Sequence, residues 1–143
     1  MSVTSRRWSV LAALALSLAL IGAGCTKNAE AWDSAQLINT ERANRGIPGL
    51  ELDIRLVEKA QAWADTMARR GSVSHSNLRD GVGSGWTRLA ENVGWSYSVA
   101  QSHKLFMDSP SHRASILNRG YTKFGTGVAI SGNKFYVVQV FGA

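Results

Sequence analysis

Imidazole and carboxylate side chains bind divalent metals and move protons near neutral pH, and three of them stand out in this chain: His75, Glu91 and His112. Two neutral imidazoles and one carboxylate form a three-ligand set that leaves a fourth tetrahedral position to water, the arrangement of an open zinc site. A water held there is a nucleophile. Catalysis would also need a general base and a group that positions substrate, and Glu91 is the one candidate for any catalytic role. The other reading is that the three residues hydrogen-bond across a cleft and hold a Gly-rich loop in place. No H-E-x-x-H, C-x-x-C, G-x-S-x-G or phosphate-binding glycine motif occurs, so no hydrolase or nucleotide site follows from short motifs.

The elements that must position these residues follow from periodicity. Asp33 to about Arg45 predicts a first helix, with Ala35, Leu37, Ile38 and Ala43 on one side, Asp33 or Ser34 as cap, and Gly46-Ile47-Pro48-Gly49 as stop. Asp53 caps a second helix, whose stripe Leu56, Ala60, Trp63, Ala64 and Met67 runs to Arg70 before Gly71. The Gly-rich stretch from Gly71 to Gly94 reads as a long irregular connection carrying His75, with a short helix around Glu91. A third helix spans Ser98 to Met107, and Ser109-Pro110-Ser111 starts a fourth through Leu117. The period then changes. Lys123–Ser131 and Lys134–Phe141 read as strands joined by a tight turn at Gly132-Asn133. Helices first and a hairpin last give an α+β class, a small antiparallel sheet covered by helices.

The chain has 143 residues and one cysteine, and opens with a basic n-region containing Arg6-Arg7 and an apolar stretch from Trp8 to Ala23. These are the parts of a secretory signal, so residues 1–24 are expected to direct export and the remainder, about 115 to 120 residues, to form one extracytoplasmic domain. Cys25, preceded by Ile21-Gly22-Ala23-Gly24, resembles the lipidated first residue of a bacterial lipoprotein, with Gly22 where a Leu is usual. Residues 25–33 would then be a short tether and 34–143 the domain, anchored to a membrane through Cys25. Cleavage after Ala29-Glu30-Ala31 would instead release a free protein starting at Trp32. The arginine pair fits either an ordinary n-region or a twin-arginine signal. A lone cysteine excludes an internal disulfide. The formal charge of +6 falls to +4 without the leader arginines, with no basic run beyond Arg69-Arg70, so nucleic acid is not an expected partner.

Seven blocks carry a further resemblance: Leu37-Ile38-Asn39 with Arg42, Gly46 and Leu50; Ala60-Gln61 with Trp63-Ala64; His75-Ser76; Glu91-Asn92-Val93; Ser109-Pro110-Ser111-His112-Arg113 with Ile116-Leu117; Gly125 with Gly127-Val128-Ala129; and Tyr136 with Val138-Gln139-Val140-Phe141-Gly142. Together they resemble the CAP superfamily of cysteine-rich secretory, antigen 5 and pathogenesis-related proteins, in its short bacterial form. The resemblance implies an α-β-α sandwich with a central antiparallel sheet. It also implies a surface cleft lined by two His and two Glu, whose histidines can hold a divalent metal such as zinc. His75 matches the first histidine, Glu91 the glutamate of the Glu-Asn block and His112 the second histidine. The second glutamate has no match; it would fall near Ser109, one position from Asp108, and both are taken as cleft-lining. Ala90 and Phe106 stand where the family commonly has Gly and Trp.

Other residues have structural readings. Asn39 and Arg42 satisfy buried backbone or carboxylate groups, Trp63 belongs to the core stripe, His103 is a solvated surface residue, and Arg113 caps or pairs locally. Trp86, Trp95 and Tyr97 flank Glu91; Trp86 and Trp95 are placed at the cleft, where aromatic rings either receive sterol, lipid or glycan or simply pack. The expected function is an exported, non-enzymatic module that binds a lipid, glycan or protein, with or without zinc. The alternatives are a metal-dependent, peptidase-like hydrolase using the same cleft and a structural envelope protein.

Overall fold

The computed structural model describes residues 22–143, with side chains from residue 29 on. The leader expected over residues 1–24 therefore lies almost wholly outside the described residues, and so does the Cys25 side chain. Helix α1 spans Gly22–Ala43, starting well before the expected cap. Ala29, Glu30 and Ala31 favour helix just before Asp33 and no proline interrupts the segment, so the helix continues through the residues expected as a tether. Ser34 is consequently a buried helical residue rather than a cap.

A two-residue strand β1 (Glu51–Leu52) leads into α2 (Ile54–Arg70). The expected boundaries of α2 hold: the Asp53 side chain accepts from the Arg55 backbone N–H, and Gly71, with φ of 66°, closes the last turn onto the Met67 carbonyl. Strand β2 (Leu89–Ser96) follows, then α3 (Val99–Asp108), α4 (Pro110–Leu117) and the hairpin β3 (Lys123–Ser131) and β4 (Lys134–Gly142). Glu91 thus sits in a strand, where a loop or short helix was expected. In the two-residue hairpin turn the positive φ is confined to Gly132 at 59°, where glycine is unstrained.

The sheet order is β1-β3-β4-β2, antiparallel throughout except for the short parallel pairing of β1 with β3. One face packs on α2 through Leu56, Ala60, Ala64 and Met67 against Val93, Tyr136, Val138 and Val140. The other packs on α1, α3 and α4 through Ile38, Val99, Phe106 and Ile116 against Phe124, Val128, Val137 and Phe141. With both faces covered, β4 reads as an apolar run broken only by Gln139 between Phe135 and Phe141. The result is the α-β-α sandwich. Its closest layer contact is made at Gly125 and Gly127, where any side chain would run into the Leu56 and Ala60 backbone of α2. Past Phe124 the outer edge of β3 has no strand partner. Gln61 of α2 stands in for one: its amide donates to the Val128 carbonyl (2.9 Å) and accepts from the Val128 N–H (3.2 Å).

Candidate functional site

Strand β2 lies at the sheet edge opposite β1, and its consecutive residues point to opposite faces. Glu91 and Asn92 use this alternation to hold the two histidine-bearing segments, one on each side. Glu91 points to the α2 side with its side chain 1% exposed. Its Oε1 accepts from the Ser76 backbone N–H (2.9 Å) and meets His75 Nδ1 at 2.8 Å, while Oε2 accepts from Ser76 Oγ at 2.6 Å. A buried carboxylate costs several kcal/mol unless donors satisfy it, and these three do so. An ionised carboxylate only accepts, so the proton of the His75 ring is on Nδ1 and Nε2 is left as an acceptor on a ring that is 65% exposed.

The loop that carries His75 is tied to α2 as well. Trp63 Nε1 donates to the Ser74 carbonyl at 2.7 Å and Lys59 Nζ to the Asn77 carbonyl at 2.6 Å. Trp63 is only partly buried, at the rim of the core cluster, so its role is to hold this loop as much as to fill the core.

Asn92, on the opposite face, donates from Nδ2 to the backbone carbonyl of His112 on α4 (3.1 Å) and to Gln139 Oε1 (3.1 Å). Gln139 Nε2 in turn lies 3.4 Å from Ser34 Oγ, so a buried polar chain links α4, β2, β4 and α1. The His112 ring rests on Phe106, with centroids 5.0 Å apart. Burial lowers its pKa below the ordinary 6.5, and the electrostatic influence of the His75 ring lowers it further. Both effects favour the neutral form of His112.

The three residues do not assemble as a ligand set. Glu91 has both oxygens engaged and stands behind His75, and among the described residues no group of three or more His, Cys, Asp and Glu side chains is placed to hold a metal ion. A bound ion would have to take His75 Nε2 and the His112 ring, with Glu91 orienting the first imidazole from behind, an arrangement common around metal-binding histidines. Asp108 supplies no second carboxylate: it is exposed at the end of α3 and paired with Lys104 Nζ at 2.6 Å. Ser109 occupies the α3–α4 junction with its hydroxyl 3.4 Å from Ser111 Oγ.

Trp86 does not line the cleft. It is buried in the α2-side core, donating from Nε1 to the Val82 carbonyl and covered by the Arg55 guanidinium, because a large ring on this face finds more apolar contact under the loop than outside it. Trp95 is exposed on the same face of β2 as Glu91 but four residues along, about 13 Å away. His103 is buried between α3 and α1 instead of solvated; its Nε2 lies 3.6 Å from Glu41 Oε2, and neither ring nitrogen has a hydrogen-bond partner. Burial lowers its pKa despite the opposing pull of Glu41.

The structural residues behave as expected. Asn39 bonds both the N–H and the carbonyl of Leu50 (2.8 and 3.0 Å). Arg42, fully buried, donates to the carbonyls of Pro48, Ile116 and Asn118. Arg113 caps the end of α3 at the Met107 carbonyl. The contribution that residue-level reading missed is Ser76, whose hydroxyl and N–H hold Glu91. Its position directly after His75 is the only trace of this in the sequence.

The fold is similar to that of an outer surface protein from Borrelia burgdorferi, with a TM-score of 0.71 and 17% identity over 80% of this chain and 92% of that one. It is also similar to an extracellular protein containing a SCP domain from Bacillus anthracis, with a TM-score of 0.68 and 22% identity over 80% of this chain and 40% of that one. A curated relative, the uncharacterized protein YkwD of Bacillus subtilis, is 26% identical over 107 residues, which are 68% of this chain and 42% of YkwD, so the chain spans less than half of that relative's length. Residues 35–141 match the family described as CAP, the cysteine-rich secretory protein family, and with that match over most of its length the chain belongs to it.

Proposed function

We propose that the protein is an exported, non-enzymatic CAP module that binds its partner, a lipid, glycan or protein, at the outward edge of His75. The observation that carries this reading is the engagement of both Glu91 oxygens. A metal-dependent hydrolase needs a carboxylate free to take a proton from water, and here the carboxylate is a buried post that fixes an imidazole. What faces outward is the exposed His75 ring, and the half-buried His112 is near enough for that ring to lower its pKa. These imidazoles would accept hydrogen bonds from a partner, and a divalent ion such as zinc would use the same ring nitrogens. A bound ion would supply a positive charge for an anionic or carbonyl group of the partner, while Glu91 and Ser76 keep the His75 ring oriented.

An extracytoplasmic location is supported by the leader-like residues 1–24 and by the extracellular description of the Bacillus anthracis relative. Cys25 is then the site of lipid attachment, and Cys25→Ser should release the protein from membranes and remove an acyl-dependent mass shift; an unchanged mass and location would refute the anchor.

Zinc titration by calorimetry on the purified protein, beside His75→Ala and His112→Ala, tests the cleft. Stoichiometric binding lost in both variants supports a metal-holding module. Absence of binding near neutral pH leaves the imidazoles as direct contacts and rules the ion out. The hydrolase alternative rests on the same His75–Glu91 pair read as a proton-accepting dyad. Chelator-sensitive peptide hydrolysis that Glu91→Gln abolishes would establish it and overturn the binding reading.

A further inference from the structure

Away from the histidines, the α2-side face of the sheet carries exposed aromatic rings interleaved with cations. Trp95 and Tyr97, at the far end of β2, are 39% and 55% exposed and meet edge to face with ring centroids 5.5 Å apart. Trp95 belongs to this face because its cross-strand partner Tyr136 and its neighbour Val93 both pack under α2. Lys134 Nζ lies 4.3 Å from the Trp95 ring centroid. Helix α2 ends on the exposed pair Arg69 and Arg70, and the Arg70 guanidinium lies 5.5 Å from the ring of Trp63, whose indole is turned to the His75 loop. Among the described residues none of Arg69, Arg70 and Lys134 has a carboxylate within ion-pair distance.

The placement of this face matters too. Helix α1 runs with its C-terminal Arg42 on the carbonyls of Ile116 and Asn118, ahead of β3, and its Ala31 carbonyl on Thr126 Oγ1, in the middle of β3. Its N-terminus therefore points to the end of the molecule where the β3–β4 turn, Lys134 and Trp95 are found. Position 25, the site proposed above for lipid attachment, falls in the first turn of α1 and so at that same end.

We propose that this face docks on a bilayer surface rich in anionic phospholipid headgroups. Trp and Tyr rings are amphipathic and settle at headgroup depth, and Lys and Arg that have no carboxylate partner meet lipid phosphates. A soluble polyanion would satisfy the cations but leave the two rings in water, which is why a bilayer fits better. The surface borders the His75 loop at Trp63, and the segments 94–98 and 131–135, which hold none of the cleft residues, make its test independent of what that cleft binds.

The test is hydrogen–deuterium exchange on the full chain, added to vesicles of phosphatidylcholine alone or with about a third phosphatidylglycerol. Reading exchange segment by segment separates this face from any effect of the leader. The expected result is slowed exchange at residues 69–74, 94–98 and 131–135 on the anionic vesicles only, reversed by high salt. Arg69→Gln/Arg70→Gln/Lys134→Gln should lose that protection while β3 and β4 centres exchange as in wild type, with affinity falling roughly fivefold per cation removed. Trp95→Ala/Tyr97→Ala, at exposed positions, should lose it as well. No protection on anionic vesicles, or equal protection on neutral ones, overturns the proposal. Equal protection by polyphosphate in solution overturns it in favour of a polyanion site.

Discussion

At the scale of single residues, the site turns on which groups are buried with partners and which without. Glu91 is buried with three donors on its carboxylate. Glu91→Gln places an amide N–H₂ where one of those donors sits, and should cost about 1–3 kcal/mol in urea denaturation, with the His75 loop exchanging amide protons faster; an unchanged midpoint would show that the carboxylate is not the post it is taken to be. His103 is the opposite case, buried with neither ring nitrogen hydrogen-bonded and only the Glu41 carboxylate 3.6 Å from Nε2. Its folded pKa lies below the ordinary 6.5, so the unfolded chain takes up the proton first as pH falls. Stability is therefore full above 6.5 and declines as pH drops from there through the lowered folded value, then levels. His112 adds to the same decline, for the same reason of burial. His103→Leu should hold stability or gain some at about pH 7 and shrink the loss between about pH 7 and pH 5, leaving the His112 share; an undiminished loss would assign the whole effect elsewhere. Only part of this was legible in the sequence. His75, Glu91 and His112 stand out as types in ordered blocks, but whether a carboxylate is a ligand or a support depends on which donors reach it. Ser76 and the Trp63–Ser74 bond depend on the folded loop. His103 looked solvated because its burial comes from α1, which is distant in sequence.

At the scale of elements, the most secure sequence expectation was α2, and the reason is local. An N-cap Asp, an apolar stripe at helical spacing and a terminal Gly all act within the element itself. Strand β2 was missed because its pattern is set from outside. Glu91 and Asn92 stand at inward positions, one satisfied by the His75 loop and the other by α4 and β4, so apolar alternation is broken where the function is built. The start of α1 was placed too late because Asp33 and Ser34 are good caps wherever a helix begins, and composition alone does not say that this one had already begun. The glycines of β3 show how tightly the layers are set. Gly127→Ala would push a methyl into the Ala60 backbone, which cannot move without lifting α2 from the sheet. The expected cost is about 3 kcal/mol or more, read as a lowered thermal midpoint with loss of the α2-side core signals; a near-neutral variant would mean that α2 rides higher on the sheet than described.

At the scale of the whole molecule, a single cysteine denies the chain any internal disulfide, so non-covalent contacts must hold the domain together. The two core clusters supply burial, but burial alone does not tie the ends of the elements together. Arg42 does this without a covalent bond. From α1 its guanidinium reaches Pro48 in the connection to β1 and Ile116 and Asn118 at the end of α4, so one side chain joins segments more than 70 positions apart. It is fully buried, and burial together with the nearby Arg119 lowers its pKa from the ordinary guanidinium value, which still leaves it charged at neutral pH. Arg42→Met would leave the Pro48 and Ile116 carbonyls without a donor and the Asn118 carbonyl with only the Tyr121 N–H at 3.4 Å, and the expected loss is about 3–5 kcal/mol. Arg42→Lys should recover only part of it, because an ammonium on a flexible stem cannot match the planar fork. The check is urea denaturation of both variants with and without reductant. Reductant should change no midpoint, and a Lys variant as stable as wild type would show that charge, not fork geometry, is what holds the three segments together.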